Sequence, residues 1–245
     1  MPNHITNEIR FGEGDQAKTA FQQMLEDMRA PDESLGSFDF NKLIPMPESL
    51  NIEAGSRTDR GLKLYRQFMQ EGHGETNLPS KWKKIAEEEP EVWSLGRQAY
   101  HNQRQYGATT WYDWCIQNWG TKWNAYSPSL DIETNTLVFE TAWSSVPKLV
   151  KILSEKYPEQ NITYRWADED IGNNVGKCEF QSGDVIWADI PTPGSREAYE
   201  MAADIQGVEL ADYNLYLTPD GSAYEYRDEP FPEPMKQPKS NDLER

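Results

Sequence analysis

Four of the chain's nine tryptophans fall in one run, WYDWCIQNWGTKWNAY, residues 111–126. Indoles stack on bases, sugars and apolar side chains. Trp111, Trp119, Trp123 and the later Trp143 are therefore candidates for an aromatic binding platform. Asn118, Lys122 and Asn124, with Asp113 on the same helix, are the polar residues best placed to hold a ligand beside it. The competing reading is packing. Tryptophan buries a large area and seeks a partner for its N–H, and that reading takes precedence. A second cluster is acidic: Asp168, Glu169 and Asp170, of which Asp168 and Asp170 with Glu140 make an imaginable three-ligand set for a divalent cation, though the spacing does not demand it. The EF-hand pattern fails here, because Gly172 stands at the third ligand place and Asn173 at the glycine place. A solvated turn, or pairing with Lys122 and Arg165, is the preferred reading. No metal or cofactor is expected.

The remaining reactive residue types give less. His4, His73 and His101 are far apart, and none sits in a zinc-ligand spacing. Cys115 and Cys178 form no CxxC pair. Cys115 lies among indoles, which predicts burial and a high thiol pKa. An N-terminal Pro2, exposed by removal of Met1, is a remote analogue of the proline base of tautomerases. No nucleophile-elbow or P-loop motif occurs.

The elements that would position these residues follow from periodicity. Ile5 to Phe11 alternates apolar and polar and predicts a strand. Asp15 caps a helix carrying Phe21, Met24, Leu25 and Met28. Residues 58–118 read as mainly helical. Pro90 stands at a first helical position, and Glu71 to Glu75 forms a break. Thr110 and Asp113 fit a capping box for a helix running to about Asn118, where Gly120 stops it. From residue 136 the order is β-α-β-β-α-β plus one strand: Thr136–Ser144, a helix from Ser144 or Ser145, Asn161–Ala167, a bent strand over Lys177–Ala188, a helix to about Ile205, and Tyr213–Leu217 with its return. This is the split βαβ order of a ferredoxin-like sandwich. The expected fold class is α+β. It comprises a helical N-terminal region with a short strand (1–118), a ferredoxin-like C-terminal domain (119–227) and a disordered tail (228–245).

Composition bounds the partner. The net charge is −17 over 245 residues, the pI about 4.6 and the mean hydropathy −0.84. Direct nucleic-acid binding is disfavoured, because it needs cations to displace counterions. An anionic membrane is disfavoured on the same ground. With no signal-peptide pattern and no long apolar run, a cytoplasmic setting is expected.

Several segments together resemble the YubB-like proteins of plasmids, prophages and their bacterial hosts: MPNHITN at the start, FNKLIPMPESL at 40–50, YGATTWYDWCIQNWGTKWNAY at 106–126, FETAWSSVP at 139–147 and ADEDIGNNVG at 167–176. The resemblance implies a ferredoxin-like C-terminal domain and a mobile-element or phage context, and it carries no catalytic residue. "Ferredoxin-like" names topology here, since two isolated cysteines cannot supply four thiolates. The functional expectation is a non-enzymatic accessory protein that binds another protein, in one version as an acidic inhibitor or DNA mimic aimed at a basic nucleic-acid-binding protein. The alternative is an enzyme or small-ligand binder. It requires Glu140, Asp168, Asp170, Asn124 and Lys122 to converge on one cleft with Trp119 or Trp123. Single-strand RNA binding on the sheet face is a third class, opposed by the charge.

Overall fold

The computed structural model of the chain describes residues 3–72 and 78–232. Pro2, the 73–77 part of the expected break (His73 included) and residues 233–245 of the expected tail lie outside them. Strand β1 (His4–Phe11) and helix α1 (Asp15–Asp27) come first. Four helices follow: α2 (Ser56–Gln70), α3 (Ser80–Glu88), α4 (Pro90–Tyr106) and α5 (Trp111–Asn118). Next come β2 (Tyr126–Asp131), β3 (Thr136–Ala142), α6 (Pro147–Lys156), β4 (Ile162–Asp168), β5 (Gly176–Gln181) and β6 (Asp184–Asp189). Helix α7 (Arg196–Gln206) and a short hairpin, β7 (Leu215–Leu217) with β8 (Tyr224–Tyr226), complete the order.

The main sheet has six strands in the order β2-β3-β1-β4-β5-β6. Every neighbouring pair is antiparallel. The fold class is the expected α+β with a ferredoxin-like sheet, but different strands compose the motif. β1 lies at the centre, paired on one side with β3 and on the other with β4. The split βαβ order is therefore β1-α1-β2-β3-α6-β4, beginning at residue 4, with α2 to α5 inserted between α1 and β2. The expected motif used a single bent strand over Lys177–Ala188, which is two strands, β5 and β6, joined by a turn, and the Tyr213–Leu217 strand, which is β7. Instead β5 and β6 extend the sheet beyond β4, and β7 pairs with β8 in a separate hairpin. Alternation identifies a strand but not its neighbours, and β1 finds its neighbours far along the chain.

One core runs across the expected 118/119 boundary. Ile5, Ile9 and Phe11 of β1 join Phe21 and Met24 of α1, Trp114, Cys115 and Trp119, Phe139 of β3, and Leu149, Val150 and Leu153 of α6. Burying this much apolar surface is the main stabilising term. Asn7 is fully buried among them, and its polar atoms are used. Its Nδ2 donates to Thr141 Oγ1 at 2.8 Å, and its Oδ1 accepts from the Tyr164 hydroxyl at 2.6 Å. That hydroxyl in turn accepts from the Val146 amide at 2.7 Å. The network links β1, β3, β4 and the start of α6, as buried polar groups require. Burial pushes the Tyr164 phenol well above its usual range.

In the inserted helices, α2 and α4 touch backbone to backbone. A Cβ on Gly61 would lie 2.0 Å from Val92 O, and one on Gly96 2.0 Å from the carbonyl carbon of Gly61. α4 begins at Pro90, as expected, and ends at Gly107 with φ +76°. α7 covers the opposite face of the sheet, where Ala198, Ala202 and Ile205 meet Ala167 and Val175.

Candidate functional site

The Trp-rich run divides between core and surface. Trp119 is buried. Its Nε1 donates to Ile44 O at 2.9 Å, and it packs edge-on to Trp114 and Phe40. Gly120 takes the expected left-handed turn at φ +80°. The capping box does not form. Thr110 sits at the N-cap without a side-chain bond, and it is Thr109 Oγ1 that donates to Asp113 Oδ2, at 2.8 Å. Asn118 is spent on its own helix, donating to Trp114 O.

The other indoles border a cleft of about 530 Å³ between the starts of α2 and α5. Asp59, Trp111, Tyr112, Asp113, Lys122 and Trp123 line it. Lys122 is already engaged with aromatic faces. Its Nζ lies 4.5 Å from the ring centre of Trp123, 4.8 Å from that of Trp143 and 5.9 Å from that of Tyr112, within cation–π range. Trp143 is exposed and has φ +70°.

The remaining predicted residues do not join that cleft. Asn124 Oδ1 accepts from the Phe40 amide at 2.8 Å, and its Nδ2 donates to Asp39 Oδ1 at 2.7 Å, which fixes the segment leading out of α1. Glu140 lies 3.7 Å from His4 Nδ1, the atom that also meets the Tyr126 hydroxyl at 2.7 Å. Burial, then the Glu140 and Glu169 carboxylates, push the Tyr126 phenol up to about 12. Asp168 is buried and accepts from Asn3 Nδ2, the Asp170 amide and Asn174 Nδ2. Asp170 accepts from Asn173 Nδ2, and Glu169 is exposed. The acidic loop is thus a turn built on its own side chains. It does not pair with Arg165, which holds Glu8 and Asp204. The convergence of Glu140, Asp168, Asp170, Asn124 and Lys122 required for a junction cleft does not occur. Among the described residues, no group of three His, Cys, Asp or Glu is placed to hold a metal ion.

His101 packs edge-on to Tyr100 on α4. Cys115 is buried, and desolvation pushes its thiol up to about 12. Desolvation raises the Cys178 thiol as well.

Residue reasoning missed the strongest surface feature, the β6 edge. All six residues of β6 are exposed, and Val185, Ile186, Trp187 and the following Ile190 are 54, 49, 45 and 66 % accessible. Single exposed apolar side chains are ordinary, whereas a contiguous group marks an interaction surface. A two-residue turn, Ser182 (φ +51°) and Gly183 (φ +84°), joins β5 to β6, as the primed hairpin turns require. The turn is tied to α6. The Gly183 amide donates to Ser154 Oγ at 2.9 Å, and Ser182 Oγ to Pro158 O at 2.9 Å. A bulge places both Val185 and Trp187 opposite consecutive β5 residues, leaving Ile186 as the extra residue. Asp184 and Asp189 end the strand. The signal was present in the unbroken triplet Val185-Ile186-Trp187, which has no solvent-facing polar member.

Residues 122–209 match the family model described as the ferredoxin-like domain in Api92-like protein. The matched stretch covers β2 to α7. β1, central in the sheet of this chain, lies outside the match. A crystal structure of a protein api92 from Yersinia pseudotuberculosis is 13% identical, with a TM-score of 0.37 over 79% of this chain and 99% of that one. Comparison with curated proteins gives no match.

Proposed function

We propose that the chain is a non-enzymatic accessory protein that acts by binding another protein, in the cytoplasm of a bacterium that carries a plasmid or prophage. Similarity to the YubB-like proteins supports that setting. The observation that carries the binding role is the β6 edge: an open sheet margin bearing Val185, Ile186, Trp187 and Ile190 on a turn fixed to α6. The carboxylates of Asp168, Asp170 and Glu140 are engaged within the turn and with His4. The acid excess of the chain favours a basic partner, through steering and complementarity. The test places a photo-crosslinking amino acid at position 187 of the full chain in host lysate. Position 132 serves as an exposed apolar control. A discrete adduct at 187 that is missing at 132 is expected. Equal adducts at both positions, or none, would sink the reading.

A second reading rests on the cleft. Carboxylates at Asp59 and Asp113 and three aromatic rings surround about 530 Å³, within the size range of small-ligand sites. A compound panel scored by thermal shift tests it. Any true ligand must raise the melting temperature of the native chain more than that of Trp123→Ala.

A further inference from the structure

We infer that the β6 edge takes an extended apolar segment of a partner protein, flanked by lysine or arginine, as a seventh strand of the sheet. This rests on the protein-binding reading and names the partner's chemistry. The ladder is half made. The two-residue turn closes on the Gln181–Asp184 pair. In a two-residue primed hairpin the closing pair is the hydrogen-bonded one, which sets Val185, opposite Phe180, at the next, non-hydrogen-bonded position, where amide and carbonyl are directed away from β5. Unpaired groups of this kind are the template for strand addition, and the tie from Gly183 to Ser154 holds them in place before binding.

Charge selects the occupant. Asp184 and Asp189 stand at the two ends of β6, with Glu155 against the turn. The nearby cation, Lys177, is drawn to Glu179 at 3.9 Å and to the Trp187 ring at 5.2 Å. An added strand with basic residues opposite the two aspartates gains cross-strand pairs, and like charges there are destabilising. A second copy of this chain is therefore a poor occupant. Antiparallel self-pairing about Ile186 and Trp187 sets each Asp184 against the other copy's Asp189. Residues 233–245 are also poor, since Pro234 and Pro238 each remove a ladder amide. Nucleic acid would meet the same aspartates.

The test pans a displayed library of random extended peptides against the full chain, then measures the enriched peptides by fluorescence anisotropy. Enriched sequences are expected to alternate β-branched or aromatic residues, carry Lys or Arg near both ends, and bind more weakly in salt. Val185→Pro removes an outward amide and trades the exposed valine side chain for a proline ring, so it should abolish binding while the melting temperature stays near that of the native chain. The pair Asp184→Lys and Asp189→Lys should weaken Lys-ended peptides about tenfold and favour Glu-ended ones. Neutral or acidic enriched peptides, binding indifferent to Val185→Pro, or no enrichment would each overturn the inference. So would a concentration-dependent dimer in sedimentation equilibrium that Val185→Pro dissolves, because it would seat a second copy on the edge. Should the crosslink at position 187 persist while no basic peptide binds, this inference fails and the protein-binding role stands. Loss of both removes the role as well.

Discussion

The sheet ends in two strands that meet solvent differently. β2 carries Pro128 and Ser127 at φ +50°, and a register break lies between Tyr126 and Ser129. Proline and irregularity are devices that stop an edge from pairing further. β6 also has a bulge, yet it presents valine, isoleucine and tryptophan to solvent and has its turn fastened to a buried serine. Edges left open and apolar risk aggregation. The chain guards one edge with proline and a register break, and leaves the other with a bulge and a pair of aspartates beside exposed apolar side chains. Within one sheet, then, protection and availability are separately encoded, and the aspartates on β6 act against pairing with itself.

The comparison can be broken most severely at the β6 turn. Gly183→Ala forces an alanine to φ +84° and places its Cβ 2.5 Å from Glu155 Cγ. A loss of about 2 kcal/mol in urea denaturation is expected, and a loss near zero would mean the turn is not fixed. Ser154→Ala strips the Gly183 amide of its acceptor, for about 1–2 kcal/mol by the same measurement. On the guarded side, Pro128→Thr should change stability by no more than about 0.5 kcal/mol. It should nonetheless raise the aggregation rate of the folded chain, seen by light scattering; unchanged scattering would show that Pro128 guards nothing. The smallest effect concerns Tyr126. Its phenol is held up to about 12, by burial first and then by Glu140 and Glu169. The fold therefore favours the protonated form, and stability is retained below the ordinary tyrosine value near 10 and lost as pH rises from there towards 12. Tyr126→Phe should make that alkaline decline shallower, and an identical slope in both proteins would contradict the assignment.

How much of this could be read from the sequence depended on the range of the interaction. Alternation from Ile5 to Phe11 marked a strand, and Gly107 and Gly120 marked helix ends, because these are local steric facts. The indoles of Trp114 and Trp119 went into the core as packing dictates. The place of β1 between β3 and β4 depends on partners far along the chain, which no local pattern encodes. The contact of Gly61 with Gly96 was invisible for the same reason: a glycine inside a helix signals nothing until the second helix is known. Asp168 was misleading in type. A carboxylate beside two others looks like a cation site, but the neighbouring asparagines Asn3 and Asn174 and the Asp170 amide claim it first. The β6 edge was legible as apolar strand and not as edge, since an edge is defined by the neighbour it lacks.

The central position of β1 also sets an order of events during synthesis. His4 must wait for Ala142, and Phe11 for Ile162. At roughly 5–20 residues per second, that is a delay on the order of ten seconds. Until it ends, Ile5, Ile9 and Phe11 have no sheet to enter, while the helices between them and β2 emerge and can close on Gly61 and Gly96. The nascent chain thus carries β1 well ahead of both of its partner strands, and the inserted helices occupy the interval before the sheet can be assembled around it.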